Sequence, residues 1–236
     1  MEKCISFCLY GNNPKYYVGL VRNINDIQNK LPDYRIMLFV PKGYHFIPKY
    51  IDSINHYEDT GLLRIKYAND FSFHGAYLMF MRFMPASYSN VSIMHSRDLD
   101  SPILDRDVAV IRAFEKSNKT FLICRDHKYH TARILGGLWG AKQGAIPEME
   151  GLINTYILSY PEAWYSDQHF LEHHVYDKVI KNALIYDSFR LYPDEKDIAQ
   201  DFPLKRQSDE FCGMQINEDG SRMEDAHVII KNSNTI

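Results

Sequence analysis

An α/β fold, with a mostly parallel sheet flanked by helices, is what this sequence predicts, and three observations carry the prediction. Apolar runs of strand length alternate with longer stretches whose apolar residues recur at helical spacing, the pattern of strands covered by crossover helices. The polar and glycine-rich motifs fall where strands end or helices begin, which is where open α/β sheets hold ligands. The 236 residues suffice for one large domain with a substantial core.

Residues 4–10 begin the series as a strand. Pro14, favoured in a helix's first turn, opens a helix whose stripe is Tyr17, Leu20, Val21, Ile24, Ile27 and Leu31. Residues 35–40 form the next strand, ended by Pro41 and Gly43. A short helix is expected around 50–54, a strand over 62–68, a helix around 75–84 and a buried strand over 91–95. The spacing predicts a helix over 105–116, with acids in its first turn and Lys116 in its last, matching the macrodipole. A strand over 120–125, a glycine-rich segment over 136–144 and a helix near 148–158 follow. Ser166 is the expected N-cap of a helix reaching about Asn182, and 183–186 is a late strand. Beyond Asp194 the composition turns polar, so one domain over 1–213 and a wrapping tail over 214–236 are expected.

Net charge is −3, from 27 basic and 30 acidic residues without a basic block, so neither nucleic acid nor an anionic membrane surface is implied as a partner. Any phosphate site must be local. No apolar stretch approaches the roughly 20 residues of a membrane span. The four cysteines lack zinc spacing and no leader pattern precedes them, so reduced thiols in a protein of the cytoplasm, including the inner face of a membrane, are expected.

Ser96-Arg97-Asp98-Leu99-Asp100-Ser101 directly follows the strand Val91-Ser92-Ile93-Met94-His95, which is its most informative context. Two carboxylates one residue apart repel unless a cation lies between them, and Mg²⁺ or Mn²⁺ take oxygen ligands while keeping positions open for phosphates. The natural guest is a metal diphosphate. Asp-x-Asp alone is common in surface loops, so other constellations must support it. Tyr10-Gly11-Asn12-Asn13-Pro14-Lys15-Tyr16 is a strand-to-helix turn that offers close backbone approach and rings able to stack on a nucleobase. Arg125-Asp126-His127-Lys128-Tyr129-His130 crowds cations, imidazoles and a carboxylate at a strand exit. Gly136-Gly137-Leu138-Trp139-Gly140 permits amides to face a phosphate and a flat ring to face a pyranose. Ser166-Asp167-Gln168-His169-Phe170-Leu171 places Asp167 and Gln168 in a helix's first turn, where aspartate is also ordinary capping chemistry. His169-Phe170-Leu171-Glu172-His173 matches the inverted zincin pattern, but no third ligand is marked downstream.

The order of these motifs, with the Arg82-bearing helix between the first turn and Asp-x-Asp, resembles the nucleotide-sugar glycosyltransferases of the GT-A fold, which is Rossmann-like. The resemblance is to small bacterial and viral members with R-D-x-D-S, R-D-H-x-x-H-x-x-x-I-x-G-G-x-W-G and D-Q-x-F-L, here residues 97–101, 125–140 and 167–171. It extends more distantly to the retaining galactosyltransferases and covers residues 4–213. It implies that Asp98 holds the ribose or the metal and Asp100 ligates Mn²⁺ or Mg²⁺. Tyr10, Gly11 and Tyr16 would line the base pocket, with Arg82, Arg97 and His130 also on the donor side. Gly136, Gly137 and Trp139 would border the donor sugar. Asp167 and Gln168 would contact the transferred sugar, with Asp126 and His127 as further catalytic candidates. Similar sequences carry His-Asp-Ser-Phe late in the chain, where this one has Tyr186, a poor metal ligand near neutral pH, which leaves Asp187 as the substitute candidate.

The expected reaction moves a sugar from a nucleoside diphosphate sugar, UDP-linked by preference, to a hydroxyl of a saccharide or glycoconjugate. A metal-dependent phosphohydrolase or nucleotidyltransferase, and a non-catalytic sugar-nucleotide-binding module, are the alternatives.

Overall fold

The computed structural model of the protein describes residues 1–68, 75–207 and 209–223. Among the described residues, eight strands form one sheet: β1 (Glu2–Cys8), β2 (Arg35–Val40), β3 (Leu63–Tyr67), β4 (Val91–Arg97), β5 (Phe121–Arg125), β6 (Leu138–Lys142), β7 (Ala183–Asp187) and β8 (Ala199–Gln200). Their spatial order is β3-β2-β1-β4-β6-β5-β7-β8. Every pairing is parallel except those of β6, which runs antiparallel to both neighbours. The helices α1 (Pro14–Lys30), α2 (Pro48–Asp59), α3 (Asp105–Lys116) and α4 (Met149–Ser159) follow the expected alternation.

The α1 stripe is buried as its spacing requires. Tyr17, Leu20, Ile24 and Ile27 join Ile5, Phe7, Ile36 and Leu38 in one core cluster, and Asn13 caps the helix by accepting the Lys15 N–H at 3.0 Å. On the other face, β4 through β7 pack against the segment Gly75–Ser87 and α4.

Three elements differ from expectation. Gly75–Ser87 is a 3₁₀ rather than an α-helix. Pro85 inside it donates no N–H and disfavours the α conformation before it, and the segment is apolar around most of its circumference. The glycine-rich stretch conceals strand β6, whose Trp139 pairs with Ser96 and Ile123. Ser166 is the first residue of its helix rather than the cap. Tyr165 precedes it in the left-handed region at φ 67°, and the Ser166 hydroxyl donates to Ala163 O at 2.7 Å. That helix, α5 (Ser166–Phe170), passes through a π turn, Leu171–Val175, into α6 (Tyr176–Val179).

Residues beyond 194 do more than wrap. β8 closes one sheet edge, Met214 and Ile216 are buried, and the Ile216 N–H donates to Asp100 O at 2.9 Å. Of the expected tail, 224–236 lie outside the described residues. All four cysteines are free and buried. Among the described residues no helix is long and apolar enough to cross a membrane.

Candidate active site

The order β2-β1-β4 places a topological switch between β1 and β4, the position at which open α/β sheets leave a crevice. A cleft of about 260 Å³ lies beyond the carboxyl ends of these strands. Tyr10 and Tyr16 enter it from the β1 turn, Asp98 and Asp100 from the β4 exit, Gly136 and Gly137 from ahead of β6, and Asp167 and Gln168 from α5.

The Asp98–Asp100 loop is held by α1. A side chain at Gly19 would strike Leu99 O, so only glycine lets the helix sit this close. One turn on, the Asn23 amide donates to Leu99 O at 3.0 Å and its oxygen accepts the Ile103 N–H at 3.1 Å.

Arg82 organises the charges. Its guanidinium donates to Asp98 Oδ1 at 2.6 Å and to Asp167 Oδ2 at 2.8 Å, joining two elements far apart in sequence. Burial works against the Arg82 charge, but Asp98 and Asp167 together raise its pKa. A side chain at Gly136 would overlap the Asp167 carboxylate and Arg82, and one at Gly137 would overlap the Asp98 carboxylate. Both glycines are therefore needed for this arrangement. Lys15 Nζ lies 2.7 Å from Asp100 Oδ2.

Burial raises the Asp167 carboxyl above its usual range; Arg82 opposes the shift and Asp98 adds to it. Asp100 is likewise raised, by burial first and then by the Asp98 charge, with Lys15 opposing. His130 is neutral, pushed down to about 3 chiefly by burial. Its Nδ1 accepts the Asp126 N–H at 3.1 Å, which assigns the ring proton to Nε2.

Three carboxylates, Asp98, Asp100 and Asp167, thus meet two cations, Arg82 and Lys15, leaving an excess negative charge. The side chain of Asp98 is 41% exposed, and only one of its oxygens is engaged by Arg82. Among the described residues no group of three or more His, Cys, Asp or Glu is placed to hold a metal. Two hard carboxylates with an excess negative charge suit Mg²⁺ or Mn²⁺ that keeps water and phosphate ligands, since such ions are commonly held by one or two carboxylates plus substrate phosphates.

Several expected site residues lie elsewhere. Trp139 is wholly buried, stacked on Phe121 at 5.2 Å and edge-on to Phe83 at 5.3 Å, so it presents no face to a sugar. Asp187 accepts from Arg125 Nε and the Phe189 and Arg190 N–H groups, each at 2.8 Å, which occupies its carboxylate as a buried clamp outside the cleft. Asp126 is similarly spent on Arg106, Arg206, Ser188 and the Cys212 N–H. His127 stacks on Phe211 at 4.4 Å, and Arg97 is buried 3.6 Å from Asp107. Gly11, in the left-handed region at φ 69°, shapes the β1 turn without lining the cleft. The rings of His169 and His173 do lie side by side, with centroids 4.3 Å apart, but with no third ligand beside them among the described residues.

The cleft also contains residues to which no sequence motif gave a part. Beside them, Lys15 reaches the Asp100 carboxylate from the first turn of α1 without lining the cleft. Trp164 and Tyr165 immediately precede the Asp167 motif, yet both are exposed on the cleft's wall. Gln215 arrives from the polar end of the chain, where no local pattern marks it.

No family model matches this chain, and no curated protein matches it in sequence. Among solved structures, a glycosyltransferase involved in the glycosylation of the major capsid of PBCV-1 aligns over 84% of this chain and 91% of its own, with a TM-score of 0.53 and 8% identity. The chain has a GT-A-like fold. Looser likenesses, too distant to bear on function, are to TarS of S. aureus in complex with UDP (TM-score 0.45, 10% identity, 72% of this chain and 54% of that one) and to 4-diphosphocytidyl-2C-methyl-D-erythritol synthase of Anaerococcus prevotii (0.44, 11%, 72% and 82%).

Proposed function

We propose that the protein transfers a sugar from a nucleoside diphosphate sugar, UDP-linked by preference, to a hydroxyl of a saccharide or glycoconjugate, with Mn²⁺ or Mg²⁺ required. The observation that carries this reading is the Arg82 bridge between Asp98 and Asp167. It joins a carboxylate suited to a metal diphosphate to one suited to the reacting sugar, at the switch point of the sheet.

In this reading the base lies on the rings of Tyr10 and Tyr16, and the diphosphate lies along the exit of β4. Asp98 and Asp100 would hold the ion, which when bound would neutralise charge growing on the departing diphosphate. Lys15 and Arg82 supply fixed positive charge beside it. His130, neutral and protonated on Nε2, donates a hydrogen bond to a phosphate oxygen rather than ligating the ion. Gly136 and Gly137 let the sugar approach the backbone. Asp167, its pKa raised by burial, is the group that takes the acceptor proton or receives the sugar.

Calorimetry of UDP binding tests the metal-bridged part. UDP binds more tightly with Mn²⁺ than with chelator, and Asp100→Ala removes the difference while leaving the fold intact. Equal affinities in the parent protein with and without metal would sink it.

A further inference from the structure

Trp164 and Tyr165 are 76% and 61% exposed, and both border the cleft beside Asp167. Bulky apolar rings are seldom left so open beside a polar site without a partner to cover them. They are not a loose loop. The Glu162 carboxylate accepts the Ala76 N–H at 2.6 Å, and Ala163 exchanges hydrogen bonds with the Ser166 hydroxyl at 2.9 and 2.7 Å. Tyr165 is held at φ 67°, a conformation that bulky side chains rarely adopt and that sets its ring and that of Trp164 at 74° with centroids 5.7 Å apart.

We infer that this pair is the platform for the acceptor, which is a neutral hexopyranose ring lying with its C–H face on Trp164 or Tyr165 and a hydroxyl directed at Asp167. The inference rests on the glycosyl-transfer reading and adds the class of acceptor. The chemistry of the cleft wall selects it. The occupant needs a flat apolar face for the rings and a hydrogen-bond donor for the Asp167 carboxylate. It also needs further hydroxyls for the Gln168 amide, which lines the same wall. It carries no negative charge of its own, because a charged group set on this wall would face the Asp167 carboxylate. A pyranose meets all four requirements, whereas a phosphorylated or carboxylated acceptor fails the last.

The two tryptophans make the test direct, since Trp139 is sealed in the core and only Trp164 is open to a soluble quencher. Acrylamide quenching of the full-length protein is measured with Mn²⁺ and UDP at saturation, alone and with methyl glucoside, galactoside or mannoside. At least one glycoside shields Trp164, lowering the quenching constant several-fold, and UDP alone does not. In transfer assays with that glycoside as acceptor, Trp164→Ser raises KM by about tenfold with a smaller change in kcat, and Trp164→Phe recovers part of the loss. Shielding by UDP alone makes the pair a nucleobase platform and overturns the inference. Shielding that grows with protein concentration and needs no glycoside makes it a contact between copies and overturns the inference equally. If no glycoside shields Trp164 while calorimetry still shows metal-dependent UDP binding, the inference falls and the glycosyl-transfer reading stands. Absence of UDP binding removes that reading instead.

Discussion

Replacing Arg82 by methionine removes a buried guanidinium while keeping most of its bulk, and leaves Asp98 and Asp167 facing each other's charge. Removing one partner of a buried ion pair costs about 3–5 kcal/mol. The Asp98 side chain is 41% exposed and regains water, so its share is small. The Asp167 side chain, 5% exposed, has no such outlet. The expected cost at neutral pH is therefore near the low end, about 3 kcal/mol, or a fall in Tm of about 6–12 °C for a chain of this size. The pH dependence has a definite sign. In the parent, burial raises the Asp167 pKa and Arg82 restrains it, so losing Arg82 raises it further. A carboxyl whose folded pKa is raised destabilises the fold where the unfolded group is ionised, above about pH 4, and not below. The penalty is thus larger at about pH 7 than at about pH 4, shrinking as the pH falls. Urea unfolding of parent and variant at both ends of that range measures it. A penalty that is the same at both ends, or below about 1 kcal/mol at neutral pH, would rule out Arg82 as the clamp on a buried Asp167 charge.

Asp167→Asn keeps an acceptor for Arg82 but loses the charge, so turnover should fall by about 10² or more while UDP affinity stays near the parent's, read by steady-state kinetics and calorimetry; turnover within a few fold would return Asp167 to a packing role. Asp187→Asn should lower Tm, because the buried Arg125 keeps Glu195 but loses one of its two carboxylate partners, yet the gain in UDP affinity from Mn²⁺ should survive. Its disappearance in a folded variant would restore Asp187 to the metal site. Trp139→Phe should cost about 1–3 kcal/mol through lost packing on Phe121 and Phe83, with UDP affinity unchanged; a folded Trp139→Phe protein that binds UDP much more weakly would count against a purely core role.

Much of this fold was legible because the parallel strands are short, continuous apolar runs and the helices between them carry regular stripes. The expected bounds of β2 and α3 coincide with the structure for that reason. β6 was hidden because a strand buried on both faces shows no alternation, and the glycines around Trp139 mimic a loop. Its Trp139 then looked like a sugar platform, when the sheet places it in the core. The 3₁₀ segment gave the same apolar signal as an α-helix, and only Pro85 hinted otherwise. In the cleft, Asp98, Asp100 and Asp167 were readable because each closes or opens an element, and Gly136 and Gly137 because paired glycines mark a close backbone approach. The Arg82 bridge and the Lys15 contact arise from tertiary approach, which local spacing does not encode. The fates of Asp126 and Asp187 were set the same way, by arginines distant in sequence.

Glycosyl transfer stands or falls on which bond of a nucleotide sugar the cleft breaks. The protein is incubated with Mn²⁺ and a panel of nucleoside diphosphate sugars, with and without saccharide acceptors, and products are resolved by mass spectrometry. Cleavage at the anomeric carbon releases the nucleoside diphosphate, with the sugar recovered on the acceptor or on water. That outcome is predicted for at least one donor, with chelator and Asp100→Ala each abolishing it. Release of nucleoside monophosphate and sugar phosphate would place the cleavage within the diphosphate and contradict glycosyl transfer, as would the absence of turnover with every donor.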